Sequence, residues 1–172
     1  MSDDLFEKII NDCKDFKPAT IEPFLNGEPL MDRKIFDRME LIKMKLPETK
    51  IKLYTNGSLL SPDKIEKLAE IGLDELFISL NTINRSKYNE IMGLDFETTI
   101  KNLDYLTTRN QKKNIAGKIT FRMTRTESTE LFEQDQFIKY CKGKDVSPFI
   151  VGLFNYKNEI RSLLPVPDYP CE

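Results

Sequence analysis

Apolar residues along the chain alternate between a helical and a strand-like spacing. The first segment places apolar residues on one face of a helix, at Leu5, Phe6, Ile9, Ile10, Cys13 and Phe16. Short apolar runs then predict strands at Thr20–Leu25, Ile51–Thr55, Glu75–Asn81, Lys118–Thr124 and Ser147–Leu153. Helical spacing returns between them, after Asp32 and Ser61 and over Arg85–Ile91, Phe96–Arg109 and Thr129–Lys142. This alternation requires a parallel sheet with right-handed crossovers, and so predicts an α/β fold of repeated βα units.

The two ends of the chain depart from this repeat. A leading helix without a strand before it is unusual in an α/β fold, so we expect a first strand upstream of Met1. From Asn155 onward the chain is irregular and rich in proline. That composition predicts a folded core over residues 1–154, followed over residues 155–172 by a linker or the start of another domain.

Composition narrows the class of protein. Hydrophobic residues make up 40% of the 172 residues and charged residues 31%, enough apolar material for a core and too much for a disordered chain. The net charge is −2 with both signs interspersed, so no basic surface predicts a nucleic-acid partner. No apolar run approaches the length of a membrane span. We therefore expect a soluble cytoplasmic protein.

The chain contains no histidine, which excludes Ser-His-Asp and Cys-His triads and zinc sites with histidine ligands. The three cysteines, Cys13, Cys141 and Cys171, are far apart and match no metal-ligand spacing. Cys13 and Cys141 lie on the apolar faces of predicted helices, so we expect both thiols to be buried. An odd number of cysteines without a pairing pattern favours a reducing compartment. If the protein is an enzyme, a cofactor must supply much of its chemistry.

Parallel α/β sheets bind ligands at the carboxyl ends of their strands, so the residues there are the candidates for a binding site. The first strand end reads Asn26-Gly27-Glu28-Pro29. Gly27 lets a ligand approach the backbone, Pro29 fixes the exit of the chain, and Glu28 can accept hydrogen bonds from an ammonium group. These residues also suit an ordinary strand-to-helix turn. The next strand end, Thr55-Asn56-Gly57, is equally ambiguous, because Asn-Gly is a common turn pair.

The third and fourth strand ends are more specific because of their side-chain alternation. The aliphatic residues of Glu75–Asn81 share one face of the strand, which leaves Ser79 and Asn81 on the inner face, where they can bond ribose hydroxyls. The same alternation places Arg122 on the inner face of the next strand. An inward arginine needs an anion: a ligand carboxylate would serve, and a salt bridge to an acid such as Glu28 is the alternative.

Segments around these strand ends resemble the radical S-adenosylmethionine (radical SAM) superfamily, in this order: Phe24–Asp32, Ile51–Leu60, Gly72–Thr82 and Tyr88–Leu106. The first, FLNGEPLMD, is similar to the family's Gly-Gly-Glu-Pro element, which binds the methionine amino group, although Asn26 replaces the first glycine. The third, GLDELFISLNT, resembles the strand whose serine contacts the ribose. The resemblance covers residues 20–153 and implies a partial TIM-type barrel, with strands 2 to 6 of a (βα)6 core.

The resemblance implies two cofactors, S-adenosylmethionine and a [4Fe–4S] cluster. It implies cofactor binding by Gly27, Glu28, Pro29, Thr55, Asn56, Ser79, Asn81 and Arg122. The family's Cys-x3-Cys-x2-Cys loop, which holds the cluster, is absent from the sequence, so we expect a truncated core whose cluster ligands lie upstream of Met1. The end of the chain is similar to the junction with an auxiliary-cluster (SPASM-type) domain, which would make Cys171 a cluster ligand.

The implied reaction is reductive cleavage of S-adenosylmethionine to a 5′-deoxyadenosyl radical, which takes hydrogen from a small-molecule or peptide substrate. We expect the full-length protein to be such an enzyme and this chain alone to be inactive. One alternative is a degenerate barrel without a cluster that serves as a binding or scaffolding module. Another alternative is a Schiff-base aldolase, which would need an inward-facing lysine at the end of a strand. Lys118 begins its strand and Lys52 lies early in its own, so neither meets this requirement.

Overall fold

The computed structural model describes residues 1–24, 26–112, 115–126 and 129–152. Within them, five parallel strands form one sheet whose spatial order is their order along the chain. The strands are β1 (Thr20–Ile21), β2 (Lys50–Thr55), β3 (Leu73–Ser79), β4 (Ala116–Arg125) and β5 (Ser147–Gly152). The helices are α1 (Asp3–Asp12), α2 (Ile35–Lys45), α3 (Pro62–Ile71), α4 (Arg85–Met92), α5 (Phe96–Lys112) and α6 (Leu131–Gly143). The predicted α/β alternation is confirmed.

The helices cover one face of the sheet, and the other face is concave. The residues of β2, β3 and β4 that point to the helices are buried: Ile51, Leu53, Leu76, Ile78, Ile119, Phe121 and Met123. On the inner face, the rings of Phe77 on β3 and Phe149 on β5 approach to 6.5 Å between centroids, across β4. Two strand spacings in a flat sheet measure about 9.5 Å, so the inner face curves. Helices on one side of a curved parallel sheet give the expected partial TIM-type barrel.

Turn and capping residues mark the ends of the helices. Pro62 takes the first position of α3, where a missing backbone N–H costs nothing, and Gly72 follows the helix in the left-handed region at φ 73°. Asn84 caps α4, since its side chain accepts a hydrogen bond from the backbone nitrogen of Lys87 at 3.2 Å. These ends set where each strand begins and therefore where its carboxyl end lies.

The first strand and the first helix are both shorter than predicted. The strand expected over Thr20–Leu25 ends at Ile21, because Pro23 has no N–H to donate to a ladder. Helix α1 ends at Asp12, and Phe16 lies beyond it with 82% of its surface exposed. The apolar face predicted for this helix is only partly covered, since α1 packs on α2 beside a strand of two residues.

Several predictions fall on residues outside the described ranges. They are the end of the fifth strand at Leu153, the linker or domain start at residues 155–172, and the cluster ligand Cys171. The proposed division at residue 154 therefore stays a prediction.

Gly117 occupies a position in β4 that has no room for a side chain. A Cβ atom there would lie 2.8 Å from the backbone carbonyl oxygen of Asp74. Asp74 itself is fixed, because its carboxylate accepts hydrogen bonds from the backbone nitrogen of Ile51 at 2.7 Å and from Lys43 at 2.6 Å. We expect Gly117→Ala to lower the free energy of unfolding by about 1–3 kcal/mol, measured by urea denaturation. Gly143→Ala is the control, since a Cβ there meets no atom within 4 Å; equal losses in both variants would contradict the steric explanation.

Candidate functional site

A cavity of about 410 Å³ opens on the inner face at the carboxyl ends of the strands. Six of the eight residues predicted to bind the cofactor line it: Gly27, Glu28, Thr55, Asn56, Ser79 and Arg122. Its other lining residues, which the sequence did not single out, are Glu22, Phe24 and Tyr54. The structure thus brings residues from four successive strand ends into one site.

Glu28 links two of these strand ends through its carboxylate. Its Oε1 atom accepts hydrogen bonds from the Thr55 hydroxyl at 2.6 Å and from the backbone nitrogen of Leu30 at 3.2 Å. Its Oε2 atom accepts one from the backbone nitrogen of Asn56 at 2.8 Å. An ionised carboxylate has about four lone-pair positions, so these three bonds leave about one acceptor position. Glu28 is therefore held in place and can still accept from one donor.

Thr55, Asn56 and Gly57 form a turn that also serves the site. The Asn56 side chain accepts hydrogen bonds from the backbone nitrogen of Ser58 at 2.9 Å and from its hydroxyl at 2.7 Å, which closes the turn. Gly57 supplies a positive φ of 77°. Because the same segment donates two hydrogen bonds to Glu28, it is both an ordinary turn and a part of the site.

Pro29 and Asn81, the other two predicted residues, have different surroundings. Pro29 is buried in a single 3-10 turn, Pro29–Met31, that begins directly after Glu28. Asn81 lies beyond β3 with φ 59°, and its side chain accepts a hydrogen bond from the backbone nitrogen of Thr124 at 3.0 Å while donating to the sulfur of Met92 at 3.0 Å. Pro29 thus fixes the chain behind Glu28, and Asn81 joins the ends of β3 and β4.

Arg122 is the group in the cavity whose hydrogen bonding is incomplete. Its Nε atom is buried and has no hydrogen-bond partner within the described residues. Its side chain is on the same face as Ser79, its partner in the β3–β4 register. Arg122 and Glu28 form no ion pair, because the Glu28 carboxylate bonds to Thr55, Leu30 and Asn56 instead, so the alternative of a salt bridge to Glu28 itself is not borne out. A buried guanidinium nitrogen without a partner favours an anionic ligand.

Aromatic rings form the inner wall of the cavity. The rings of Tyr54 and Phe77 stack with their centroids 4.5 Å apart, and Phe24 lies 5.4 Å from Tyr54. Burial, followed by the negative charge of Glu22, raises the pKa of Tyr54, so its hydroxyl stays protonated at neutral pH.

Lys52 lies below this wall and is held as a cation. Its Nζ atom is 3.4 Å from Glu22 Oε1 and 5.7 Å from the centre of the Phe77 ring. Desolvation opposes its protonation, but the neighbouring Tyr54 and Glu22 more than offset this, and the pKa of Lys52 is raised. A Schiff-base lysine needs a lowered pKa, so this environment counts against the aldolase alternative.

The described part of the chain holds no group of three or more His, Cys, Asp or Glu side chains close enough to bind a metal ion. Cys141 is fully buried, as predicted, and burial raises the pKa of its thiol to about 12. Cys13 is half-buried, so it is more accessible than predicted. The residues present therefore do not fit a [4Fe–4S] cluster, whose ligands are thiolates.

Among the residues that the structure describes, no helix is long and apolar enough to cross a bilayer.

Comparison with known proteins agrees with this geometry. The family model of the radical SAM superfamily matches residues 2–128. A GTP 3′,8-cyclase of Clostridium perfringens is 30% identical over 132 residues, which cover 76% of this chain and 38% of that protein. A probable GTP 3′,8-cyclase of Methanocella arvoryzae is 27% identical over 140 residues, or 80% of this chain and 43% of that protein.

Among solved structures, SuiB of Streptococcus suis shares the fold, with a TM-score of 0.73 and 18% identity over 94% of this chain and 36% of SuiB. The chain spans less than half the length of each of these proteins. Enzymes of this family use S-adenosylmethionine and a [4Fe–4S] cluster. Because the family model covers well over half of its residues, the chain belongs to the radical SAM superfamily.

Proposed function

We propose that the cavity binds S-adenosylmethionine. The observation that carries this proposal is the pairing, in one cavity, of a fixed carboxylate that has a remaining acceptor position with an arginine whose buried Nε atom has no partner among the described residues. An amino acid group carries an ammonium and a carboxylate on one carbon, which complements these two side chains. The neutral groups beside them, such as the Ser79 hydroxyl, complement a ribose.

Six residues of the cavity have roles in this proposal. Glu28 accepts a hydrogen bond from the ammonium group, Arg122 pairs with the carboxylate, and Ser79 bonds a ribose hydroxyl. Thr55 and Asn56 hold the Glu28 carboxylate by the hydrogen bonds described above. Gly27 contributes a left-handed backbone at φ 86°, which lets the chain turn into Glu28.

In this family S-adenosylmethionine would supply a carbon radical for hydrogen abstraction once the [4Fe–4S] cluster has donated one electron and methionine has left. The described residues bind and orient it, and the aromatic wall of Phe24 and Tyr54 keeps water from one side of the cavity. No step through the cluster is assigned to this chain, since the described residues hold no ligands for one.

We infer that the whole protein is a radical SAM enzyme acting on a small molecule or a peptide. The sequence similarity to GTP 3′,8-cyclases supports an enzyme, and their name supports a small molecule for those proteins. The SuiB structure with the precursor peptide SuiA shows a protein of this fold on a peptide. The degenerate barrel that serves as a binding module is the alternative, and cofactor binding separates the two.

Isothermal titration calorimetry tests the proposal on the chain itself. We expect S-adenosylmethionine to bind at one site, and 5′-methylthioadenosine to bind at least about tenfold more weakly, because it lacks the groups that Glu28 and Arg122 contact. Equal affinities would contradict the roles of Glu28 and Arg122. Absence of binding by both compounds would favour the scaffolding alternative.

A further inference from the structure

A residue that does not line the cavity fixes the turn that carries the partners of Glu28. The side-chain nitrogen of Asn102, in α5, donates hydrogen bonds to the backbone carbonyl oxygens of Gly57 at 3.1 Å and Ser58 at 2.9 Å. Asn102 is half-buried and is not among the residues that line the cavity. It therefore reaches the site only through the backbone of the turn.

The packing around Gly57 presses the same turn against α5 and β3. A Cβ atom at Gly57 would lie 3.2 Å from Leu103 Cδ2 and 3.3 Å from Ile78 Cγ2, so the backbone approaches both side chains closely. Leu103 and Ile78 are fully buried and have little freedom to move. The hydrogen bonds from α5 and the close packing against α5 and β3 therefore hold the turn in place.

A continuous path of hydrogen bonds joins Asn102 to the carboxylate. Asn102 bonds the carbonyl of Gly57, whose backbone nitrogen donates to Thr55 Oγ1 at 3.1 Å. The Thr55 hydroxyl donates to Glu28 at 2.6 Å, and the Asn56 backbone nitrogen donates to Glu28 at 2.8 Å. Both donors that hold Glu28 from this side belong to the segment that Asn102 anchors.

We infer that Asn102 is a positioning residue for the Glu28 carboxylate and so for cofactor binding, an inference that rests on the function proposed above. Asn102 acts by fixing the turn, without touching the ligand. Its loss removes the bond to the Ser58 carbonyl and one of the two bonds to the Gly57 carbonyl, which still accepts from the backbone nitrogen of Leu60 at 3.2 Å. The turn can then shift, so the Glu28 carboxylate loses its orientation.

The chain offers a matched control on the same helix. Asn110 also holds two backbone groups, since its side-chain oxygen accepts hydrogen bonds from the nitrogens of Ile115 at 2.8 Å and Ala116 at 3.5 Å. These groups lie at the start of β4, at the opposite end of the sheet from the cavity. Asn102→Ala and Asn110→Ala therefore each remove two side-chain hydrogen bonds to backbone groups, donated by Asn102 and accepted by Asn110, and only Asn102 bonds the turn beside the cavity. Asn102→Asp is a third variant, which keeps the shape of the side chain and loses its donors.

Two measurements test the inference. Hydrogen exchange of the Asn56 amide, followed by NMR, should be about tenfold faster or more in Asn102→Ala and Asn102→Asp, and unchanged in Asn110→Ala. The affinity for S-adenosylmethionine should fall about tenfold in the Asn102 variants and stay within about twofold in Asn110→Ala.

The outcomes separate this inference from the proposed function. If the chain binds no S-adenosylmethionine but Asn56 exchange rises only in the Asn102 variants, the proposed function fails and the positioning of Glu28 stands. If the chain binds the cofactor and the Asn102 variants bind it as tightly, with Asn56 exchange unchanged, the inference is overturned. It is also overturned if all variants lose affinity in proportion to their loss of thermal stability, since the role of Asn102 would then be structural alone.

Discussion

Replacing Glu28 with glutamine is expected to weaken S-adenosylmethionine binding by about 10- to 100-fold, the range for losing a hydrogen bond to a charged group. The carboxylate accepts three hydrogen bonds from Leu30, Thr55 and Asn56. A glutamine side chain has one oxygen and one nitrogen in place of the two carboxylate oxygens. In either orientation, its NH2 group would face a backbone N–H donor, with which it cannot form a hydrogen bond. The variant therefore loses both the ionic partner of the ammonium group and the arrangement of the turn.

Glu22→Gln is the matched control for Glu28→Gln. Glu22 is the other carboxylate that lines the cavity, and it pairs with Lys52 at 3.4 Å. Its side chain is 43% exposed, so removing its charge should change the affinity by no more than about threefold. Calorimetric titration of both variants gives the comparison. Equal losses of affinity would mean that the cavity responds to net charge, and the specific role of Glu28 would be wrong.

Replacing Arg122 with methionine should change affinity and stability in opposite directions. The variant loses the cation that pairs with the ligand carboxylate, so we expect binding about 10- to 100-fold weaker. It also removes a buried Nε atom that has no partner among the described residues and keeps an apolar stem, so the free energy of unfolding without ligand should stay constant or rise by up to about 1 kcal/mol. Thermal denaturation with and without S-adenosylmethionine measures both effects.

Arg125→Met shows whether the affinity loss is specific to the cavity. The Nε atom of Arg125 is also buried without a partner within the described residues, but Arg125 lies three positions along β4, so strand alternation directs it to the opposite face. Its replacement should affect stability in a similar way and leave the affinity unchanged. If Arg122→Met destabilised the free protein and bound the cofactor normally, Arg122 would be a structural residue and its assignment would fail.

Local rules predicted the architecture well, because strand alternation and helix periodicity depend on neighbouring residues. They placed Ser79 and Arg122 on one face, and the β3–β4 register pairs those two residues directly. They failed where a local feature overrode the pattern. Pro23 ends β1 early. Asn81 adopts a φ of 59°, and its side chain accepts a hydrogen bond from the backbone nitrogen of Thr124, whereas strand alternation predicted it on the same face as Ser79.

Contacts between residues far apart in the chain could not be predicted from the sequence. Asn102 reads as one polar residue on a helix, and its bonds to Gly57 and Ser58 span 45 and 44 residues. The bonds of Glu28 to Thr55 and Asn56 span 27 and 28 residues, so its role in fixing a turn was equally hidden. Tyr54 could have been found, since alternation along β2 places it on the face that also carries Lys52.

The central claim is that this cavity, and no other part of the described chain, binds S-adenosylmethionine. The most direct test is an NMR titration of the ¹⁵N-labelled chain with S-adenosylmethionine. We expect the largest chemical-shift changes at the amides of Glu28, Asn56 and Ser79 and at the Arg122 side chain, with little change at Lys118 and Asp145, which line a separate cavity at the other end of the sheet. Changes centred on Lys118 and Asp145, or none at Glu28 and Asn56 at saturating ligand, would contradict the account.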